Sequence, residues 1–185
     1  SGVQNDREFH RLPEGSFGSF ATAGNTRYTR LAMNGIKLHL ESARPEDWRP
    51  MLEIERQCFS LTDVFKPHQF HYLLRSPTCQ VYLLRSGETV AGYIFGLIRR
   101  YSTPSGRIYK IAVQHDFQGQ GLAVRLLTKM EQFFRRSGME RSCAEVRITN
   151  RSSQRLFLKN GYHLGERLSA YYPDGGDGQK FWKDL

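Results

Sequence analysis

The chain has 185 residues, of which 39% are hydrophobic and 24% are charged, values typical of one soluble globular domain. No apolar run approaches the roughly 20 residues of a membrane-spanning helix, and no secretory signal is recognisable, so we expect no membrane contact. The net charge of +9 predicts attraction to polyanions such as the ribosome. The basic residues form no nucleic-acid motif, however, and a solvated basic surface is the simpler interpretation.

Three cysteines, Cys58, Cys79 and Cys143, lie far apart in the sequence and match no metal-binding spacing. An odd number of scattered cysteines is typical of reduced thiols. We therefore expect a cytoplasmic protein without a metal site.

Residues 1–34 are rich in Gly, Ser, Asn and Arg and show no sustained apolar period. We interpret them as an N-terminal arm, or as a leader that remains from protein production. Residues 35–185 are expected to form one folded domain.

The folded part begins with an alternation of apolar and polar residues over 36–40, which predicts a half-buried strand. A helix is predicted over 45–59, because Pro45 suits a first helical turn and acidic residues follow it near the positive end of the helix dipole. A second, shorter helix is predicted over 67–74.

Strands and helices then alternate in the rest of the chain. Strands are predicted over 80–84, 89–98, 107–114, 142–148, 162–170 and 179–182, and helices over 121–136 and 152–159. The order β-α-α-β-β-β-α-β-α-β-β predicts an α/β fold, a mixed sheet with helices on both faces.

The most informative segment is a glycine-containing turn between the strand that ends near Val113 and the helix over 121–136. The first amides of a helix have no internal partner and lie at the positive end of its dipole, so they can bind an anion. Gly119 and Gly121 leave the backbone accessible to a phosphate, and a pyrophosphate is the expected ligand. The turn matches neither a dinucleotide fingerprint nor a P-loop, and a turn without any ligand stays a simpler alternative.

The turn also carries a recognisable signature. Gln118-x-x-Gly121-x-Ala123 matches the (Gln/Arg)-x-x-Gly-x-(Gly/Ala) signature of the GNAT acyltransferase superfamily. Further segments, in the same order along the chain, resemble the ribosomal-protein alanine N-acetyltransferase branch of that superfamily. They are residues 54–59, 111–113, 144–150, 150–162 and 171–173. The resemblance covers about residues 36–185 and implies a single-domain fold whose parallel central strands splay apart, with an N-acetyltransferase domain over 35–185.

The resemblance implies that acetyl-coenzyme A is the co-substrate and lies between the strands 107–114 and 142–148. Its pyrophosphate would bind the backbone amides of Gln118, Gly119, Gln120, Gly121, Leu122, Ala123 and Val124. The backbone of Ile111, Ala112 and Val113 would pair with the pantetheine arm and polarise the thioester carbonyl. Asn150 would bond the same arm, although a cap on the helix from Arg151 is an equal alternative and both roles can coexist.

Glu145 aligns with the general base of the family, which must help a protonated amine to become a nucleophile. The alternative is an outward-facing carboxylate paired with Arg147 or Arg141. The resemblance also assigns the acceptor side to Phe59, Tyr171 and Tyr172, with Phe59 either lining the acceptor groove or packing beneath it.

The sequence departs from the family at the general acid. Phe157 stands where family members have a tyrosine that returns a proton to the leaving thiolate. Tyr171 and Tyr172 are candidate replacements, and ordinary loop packing is the alternative for both. Residues 61–65 also replace the usual Pro-Trp-Ser, which leaves the acceptor open.

The resemblance implies transfer of an acetyl group to an amine by direct attack on the thioester, with a protein N-terminal α-amine as the favoured acceptor. One alternative is a small-molecule amine or a lysine side chain. Another is a non-catalytic acyl-coenzyme A-binding or ribosome- or RNA-associated module. A peptide acceptor predicts a narrow groove flanked by Phe59 and Tyr171–Tyr172, whereas a small molecule predicts a closed pocket with extra carboxylates.

Overall fold

The computed structural model describes residues 37–100 and 102–185. The predicted arm, residues 1–34, lies outside the described residues, as does the start of the first predicted strand at Ile36. The elements are β1 (His39–Ser42), α1 (Trp48–Cys58), α2 (Pro67–Arg75), β2 (Cys79–Ser86), β3 (Thr89–Arg99), β4 (Ser105–Val113), α3 (Leu122–Arg136), β5 (Arg141–Arg147), α4 (Arg151–Lys159), β6 (His163–Leu168) and β7 (Gly178–Asp184).

The element order confirms the predicted α/β fold. The described strands form one sheet in the order β1-β2-β3-β4-β5-β7-β6, in which β4 and β5 are parallel and the other neighbours are antiparallel. The first strand was predicted a few residues too early. Pairing with β2 begins at His39, opposite Arg85, although the apolar alternation starts before that point.

The sheet is interrupted between its two parallel strands. β4 and β5 pair only from Ser105–Arg141 to Ile108–Ala144, while each strand continues beyond the last pair. On the other side of β4, Phe95 lies opposite Lys110 and Gly96 opposite Ile108, so Tyr109 is an extra, bulged residue. A bulge bends its strand and breaks the ladder locally. The two strands therefore separate into a wedge, as the sequence predicted.

Helices α1 and α2 cover one face of the sheet. Their apolar sides pack on inward residues of β2 and β3, because α1 and α2 are both strongly amphipathic. The aromatic centre of this core is formed by Phe65, Phe70, Tyr93 and Phe95.

Helix α3 lies unusually close to the opposite face, since glycines stand where it crosses β3 and β4. A Cβ atom on Gly96 would lie 2.3 Å from Sδ of Met130, and one on Gly106 would lie 2.2 Å from the Phe134 ring. Helix α4 lies on the same face, where Lys183 of β7 bonds both Glu131 of α3 and the Asn160 carbonyl that follows α4. Among the described helices, none is long and apolar enough to span a membrane.

Candidate active site

The predicted anion-binding turn is open and depends on backbone conformation. Gly121 caps α3 with φ +73°, and Gly119 has φ +76°. Among the described residues, no atom beyond the chain neighbours lies within 4 Å of a Cβ built at either position, so left-handed backbone geometry, and not crowding, favours glycine there. Residues 118–121 are exposed, which leaves the first amides of α3 accessible to an anion.

The side chain of Gln118 has a structural role that the sequence did not reveal. Its Nε2 donates to the Val113 carbonyl at 2.9 Å, and Sγ of Cys58 lies 3.4 Å from the same oxygen. Gln118 thereby ties the turn back to the end of β4. The signature glutamine thus shapes the turn, in addition to the backbone contact predicted for it.

The other residues predicted to bind the cofactor are brought together beside the wedge. Ile111, Ala112 and Val113 pair with β3 along one edge, and their other edge faces the wedge. The exposed Gln120 follows in the turn, and α3 then begins with a buried Leu122, a half-buried Ala123 and an exposed Val124. One continuous surface therefore runs from the wedge to the turn.

Asn150 caps α4. Its Oδ1 accepts hydrogen bonds from the Ser153 amide at 3.1 Å and from the Ser152 hydroxyl at 2.9 Å. The capping interpretation is confirmed, and a bond from Asn150 to the coenzyme arm stays a prediction.

Glu145 lies one residue beyond the last β4–β5 pair, on the face that carries α1 and α2. Its Oε2 accepts a hydrogen bond from Nε of Arg107 at 2.6 Å, and both side chains are only 7% exposed. Arg107, and neither Arg147 nor Arg141, is therefore its partner. The sequence missed Arg107 because a single arginine in a strand carries no pattern of its own.

Arg107 also contacts the predicted acceptor side. Its Nη2 donates to the phenolic oxygen of Tyr171 at 2.5 Å. Burial alone would lower the pKa of Arg107, but the Glu145 carboxylate and Tyr171 outweigh burial and raise that pKa above its ordinary value. The guanidinium is therefore a permanent cation between a carboxylate and a phenol.

Tyr171 and Tyr172 meet edge to face, with ring centroids 5.2 Å apart. The Tyr171 ring lies against Gly178, where a Cβ atom would come within 3.2 Å of it. The Tyr172 hydroxyl donates to the Glu145 carbonyl at 3.4 Å, and burial raises the pKa of Tyr172 above its ordinary value. The two predicted tyrosines therefore lie beside Glu145, as expected for an acceptor site.

Arg147 connects the two loops that flank this region. It donates two hydrogen bonds of 2.6 Å to Asp63, in the segment between α1 and α2, and one of 3.1 Å to Asp174, between β6 and β7. Its guanidinium carbon also lies 3.9 Å from the Tyr172 ring centroid. The segment between α1 and α2 and the loop between β6 and β7 are thus held together by Arg147.

Phe59 packs against a buried cation, and its predicted place at the acceptor groove stays a prediction. Nζ of Lys110 lies 4.3 Å from the Phe59 ring centroid and 3.7 Å from that of Phe65. The same ammonium donates to Oε2 of Glu55 at 2.6 Å, and burial lowers the pKa of Lys110. Neither Lys110 nor Arg107 was predicted from the sequence as a residue of the site.

Phe157 is a core residue. It is 2% exposed and packs between Tyr162 and Phe181, with centroid distances of 5.0 and 5.8 Å. Its side chain has no proton to donate, so the structure supplies no general acid at the position where family members have a tyrosine.

The interrupted sheet, the open turn and the buried carboxylate beside the wedge are features of an acyltransferase. Residues 48–162 match the model of the acetyltransferase (GNAT) family. The chain belongs to this family, and it is an acyltransferase of the N-acetyltransferase type. This membership does not support the non-catalytic module considered from the sequence.

Three similar proteins illustrate the relationship. The N-alpha-acetyltransferase RimI of Mycobacterium tuberculosis is 31% identical over 71% of this chain and 83% of its own length. A putative ribosomal protein bS18-alanine N-acetyltransferase of Bacillus subtilis is 27% identical over 76% of this chain and 91% of its own. The structure of Arabidopsis thaliana NAA60 in complex with acetyl-CoA superposes with a TM-score of 0.69 at 15% identity, covering 80% and 99% of the two chains.

Proposed function

We propose that this protein transfers the acetyl group of acetyl-coenzyme A to the α-amine of a protein or peptide N-terminus. The names of two relatives support this acceptor, because one is an N-alpha-acetyltransferase and the other is described as acting on an alanine of a ribosomal protein. The surface from Ile111 to Val124 fits the co-substrate, since it offers an unpaired strand edge next to an open, amide-rich turn.

The observation that carries the proposal is the pairing of the carboxylates near the wedge. Glu145 is bonded to Arg107, Glu55 to Lys110, and Asp63 and Asp174 to Arg147. Each of these carboxylates is thus compensated by a cation of the protein itself. A small polyamine needs uncompensated carboxylates, so this groove favours an acceptor that enters as a neutral amine.

An α-amine meets that requirement better than a lysine side chain. With pKa values of ~7.7–8.0 and ~10.4, about 10% of α-amines but only about 0.04% of lysine amines are neutral at pH 7. The site therefore gains a preference of roughly two orders of magnitude for α-amines from ionisation alone.

The residues of the chain divide the chemistry as follows. Acetyl-coenzyme A, when bound, supplies an acetyl thioester and a thiol leaving group. Glu145 accepts, through water, the proton that the acceptor nitrogen loses as the N–C bond forms. Tyr171 is the donor that the chain offers to the sulfur as the C–S bond breaks, since Phe157 cannot serve. Backbone amides of Ile111 to Val113 orient the carbonyl and stabilise its developing charge.

The test compares three acceptors with acetyl-coenzyme A under steady-state conditions. One peptide has a free N-terminus and no lysine, a second is the same peptide blocked at the N-terminus with one internal lysine, and the third acceptor is a small diamine. We expect the first to be acetylated at least about 100-fold faster at pH 7, with mass spectrometry locating the group on the α-amine. Faster turnover of the blocked peptide or of the diamine would replace this proposal with the corresponding alternative.

A further inference from the structure

We propose that Arg107 is a positioning residue that fixes both Glu145 and Tyr171 at the base of the wedge. This inference rests on the proposed function for the roles of Glu145 and Tyr171. The hydrogen bonds that Arg107 makes do not depend on that proposed function. Arg107 uses Nε for the carboxylate at 2.6 Å and Nη2 for the phenol at 2.5 Å, so one rigid guanidinium determines the positions of both groups.

The location of the pair follows from the strand register. Ile108–Ala144 is the last pair between β4 and β5, so Arg107 stands one residue before the separation and Glu145 one residue after it. The bulge at Tyr109 turns β4 away directly beyond this point. The ion pair therefore spans the place where the two strands part, and the open wedge begins immediately beyond it.

The contacts leave Glu145 able to act as a base. Arg107 occupies Oε2, and within the described part of the chain no hydrogen bond is made to Oε1. Oε1 can therefore accept the proton of an acceptor amine through water. Lysine could not do the same, because its single nitrogen cannot present a planar fork to two partners.

Other charged and titratable groups also lie near Glu145. They are Cys143 and Arg147 on β5, Lys180 on β7, Tyr171 and Tyr172 in the loop, and Asp63 between α1 and α2. Lys180 is bonded to Glu166 at 3.1 Å, and Arg147 is bonded to two aspartates. Arg107 is thus the cation with a direct bond to the Glu145 carboxylate.

The first measurement does not depend on catalysis. Crystal structures of the protein without ligands compare the positions of the Glu145 carboxylate and the Tyr171 phenol in the parent, in Arg107→Gln and in the control Arg141→Gln. Arg141 lies on the same strand as Glu145 but bonds the exposed Asp184. We expect both groups to move or to lose order in Arg107→Gln and to keep their positions in Arg141→Gln. Unmoved, ordered groups in Arg107→Gln would overturn the inference.

The second measurement separates kcat from KM for peptide acetylation. Without the guanidinium, Glu145 and Tyr171 lose their shared anchor, so Arg107→Gln should lower kcat by about tenfold or more and leave the KM for acetyl-coenzyme A near that of the parent. Arg107→Lys should lower kcat less, since one of the two contacts can be kept. Equal kcat values in Arg107→Gln and Arg141→Gln, both folded, would contradict the inference.

A folding defect is controlled by a charge-balanced variant. Arg107→Gln leaves Glu145 without its partner, whereas Arg107→Gln combined with Glu145→Gln removes both charges. If Arg107 acts through Glu145, adding Arg107→Gln to Glu145→Gln should cost much less activity than it costs in the parent. Equal losses in both backgrounds would refute that coupling. If the parent acetylates no amine at all, the proposed function fails, and the crystal structures of the variants still decide the role of Arg107.

Discussion

The side chain of Glu145 illustrates how much of a catalytic residue's environment is invisible in a sequence. Resemblance identified Glu145 as the candidate base, and alternation in the strand explains which face it occupies. Its partner Arg107 is 38 residues away, and the pair forms because two parallel strands bring their residues side by side. Contacts across a crossover are fixed by register, which no local pattern encodes.

Replacing Glu145 with glutamine should lower kcat/KM at pH 7 by about 100-fold, the usual contribution of a general base. The ratio of the two rates should stay near this value from pH 6 to 9, because both proteins take the α-amine in its neutral form and so share its titration. The measurement is a pH–rate profile from 6 to 9 with a free N-terminal peptide. A profile that coincides with that of the parent would leave Glu145 without a chemical role.

The general acid can be tested with two opposite substitutions. Tyr171→Phe should reduce kcat by about tenfold or more, if the phenol donates to the leaving sulfur. Phe157→Tyr should not raise kcat, because the ring is buried between two aromatic residues. It should instead lower the free energy of unfolding by about 1–3 kcal/mol, the usual cost of an unsatisfied buried hydroxyl. Faster turnover in Phe157→Tyr at unchanged stability would point to the family's usual acid position.

At the scale of elements, the turn before α3 was the best-predicted part of the site. Two of its residues with a positive φ angle are glycines, and an amphipathic helix follows them. Both features could be predicted because they leave local signals in the sequence. The bulge at Tyr109 was not predictable, since it depends on how β4 pairs with β3. The resemblance alone therefore implied the splay of β4 and β5, and the bulge that causes it is visible only in the structure.

A matched pair of glycines on α3 separates ligand binding from backbone strain. Gly121 begins the helix with φ +73° and Gly138 follows its end with φ +74°, and no atom lies within 4 Å of a Cβ at either. Valine at either site should cost similar stability, about 1–2 kcal/mol for a left-handed residue. We expect Gly121→Val alone to abolish the rise in Tm that acetyl-coenzyme A causes in the parent. Equal thermal shifts in the two variants would argue against the turn as the phosphate site.

For the whole molecule, the sequence predicted the order of elements and the presence of helices on both faces, because hydrophobic periodicity distinguishes strands from helices. Element ends were less certain. The first strand was placed early, since alternation continues into residues that have no partner in the sheet. The ion pairs Glu55–Lys110 and Asp63–Arg147 were not foreseen, as they join distant segments through the tertiary fold.

Burial of thiols and phenols should limit stability at alkaline pH. Burial raises the pKa of Cys79 to about 12 and that of Cys143 to about 11, from an ordinary 9.0, and it also raises the pKa of Tyr93 and Tyr109. The folded state thus retains protons that the unfolded state loses, so stability is full below pH 9 and declines as pH rises through 9–11. The lowered pKa of Lys110 makes the folded state more stable as the pH rises. This single group opposes the larger set of thiols and phenols.

Urea unfolding at pH 8, 9, 10 and 11 measures this decline, with Cys79→Val as the comparison. The variant lacks one thiol that titrates in the unfolded chain, so its stability should fall less steeply between pH 9 and 11. Parallel curves for the two proteins would show that the Cys79 thiol does not contribute.

The interruption between β4 and β5 also has a consequence for solvent exchange. Among the described residues, the edge of β4 that faces the wedge from Tyr109 to Val113 has no strand partner beyond Ile108. Apart from the Val113 carbonyl, which Gln118 bonds, the peptide groups on that edge must pair with water or with a ligand. A bound acyl arm would complete the ladder in the manner of an added strand. Hydrogen–deuterium exchange should therefore be fast at these amides in the free enzyme and slow with acetyl-coenzyme A, while amides of β2 exchange alike in both states.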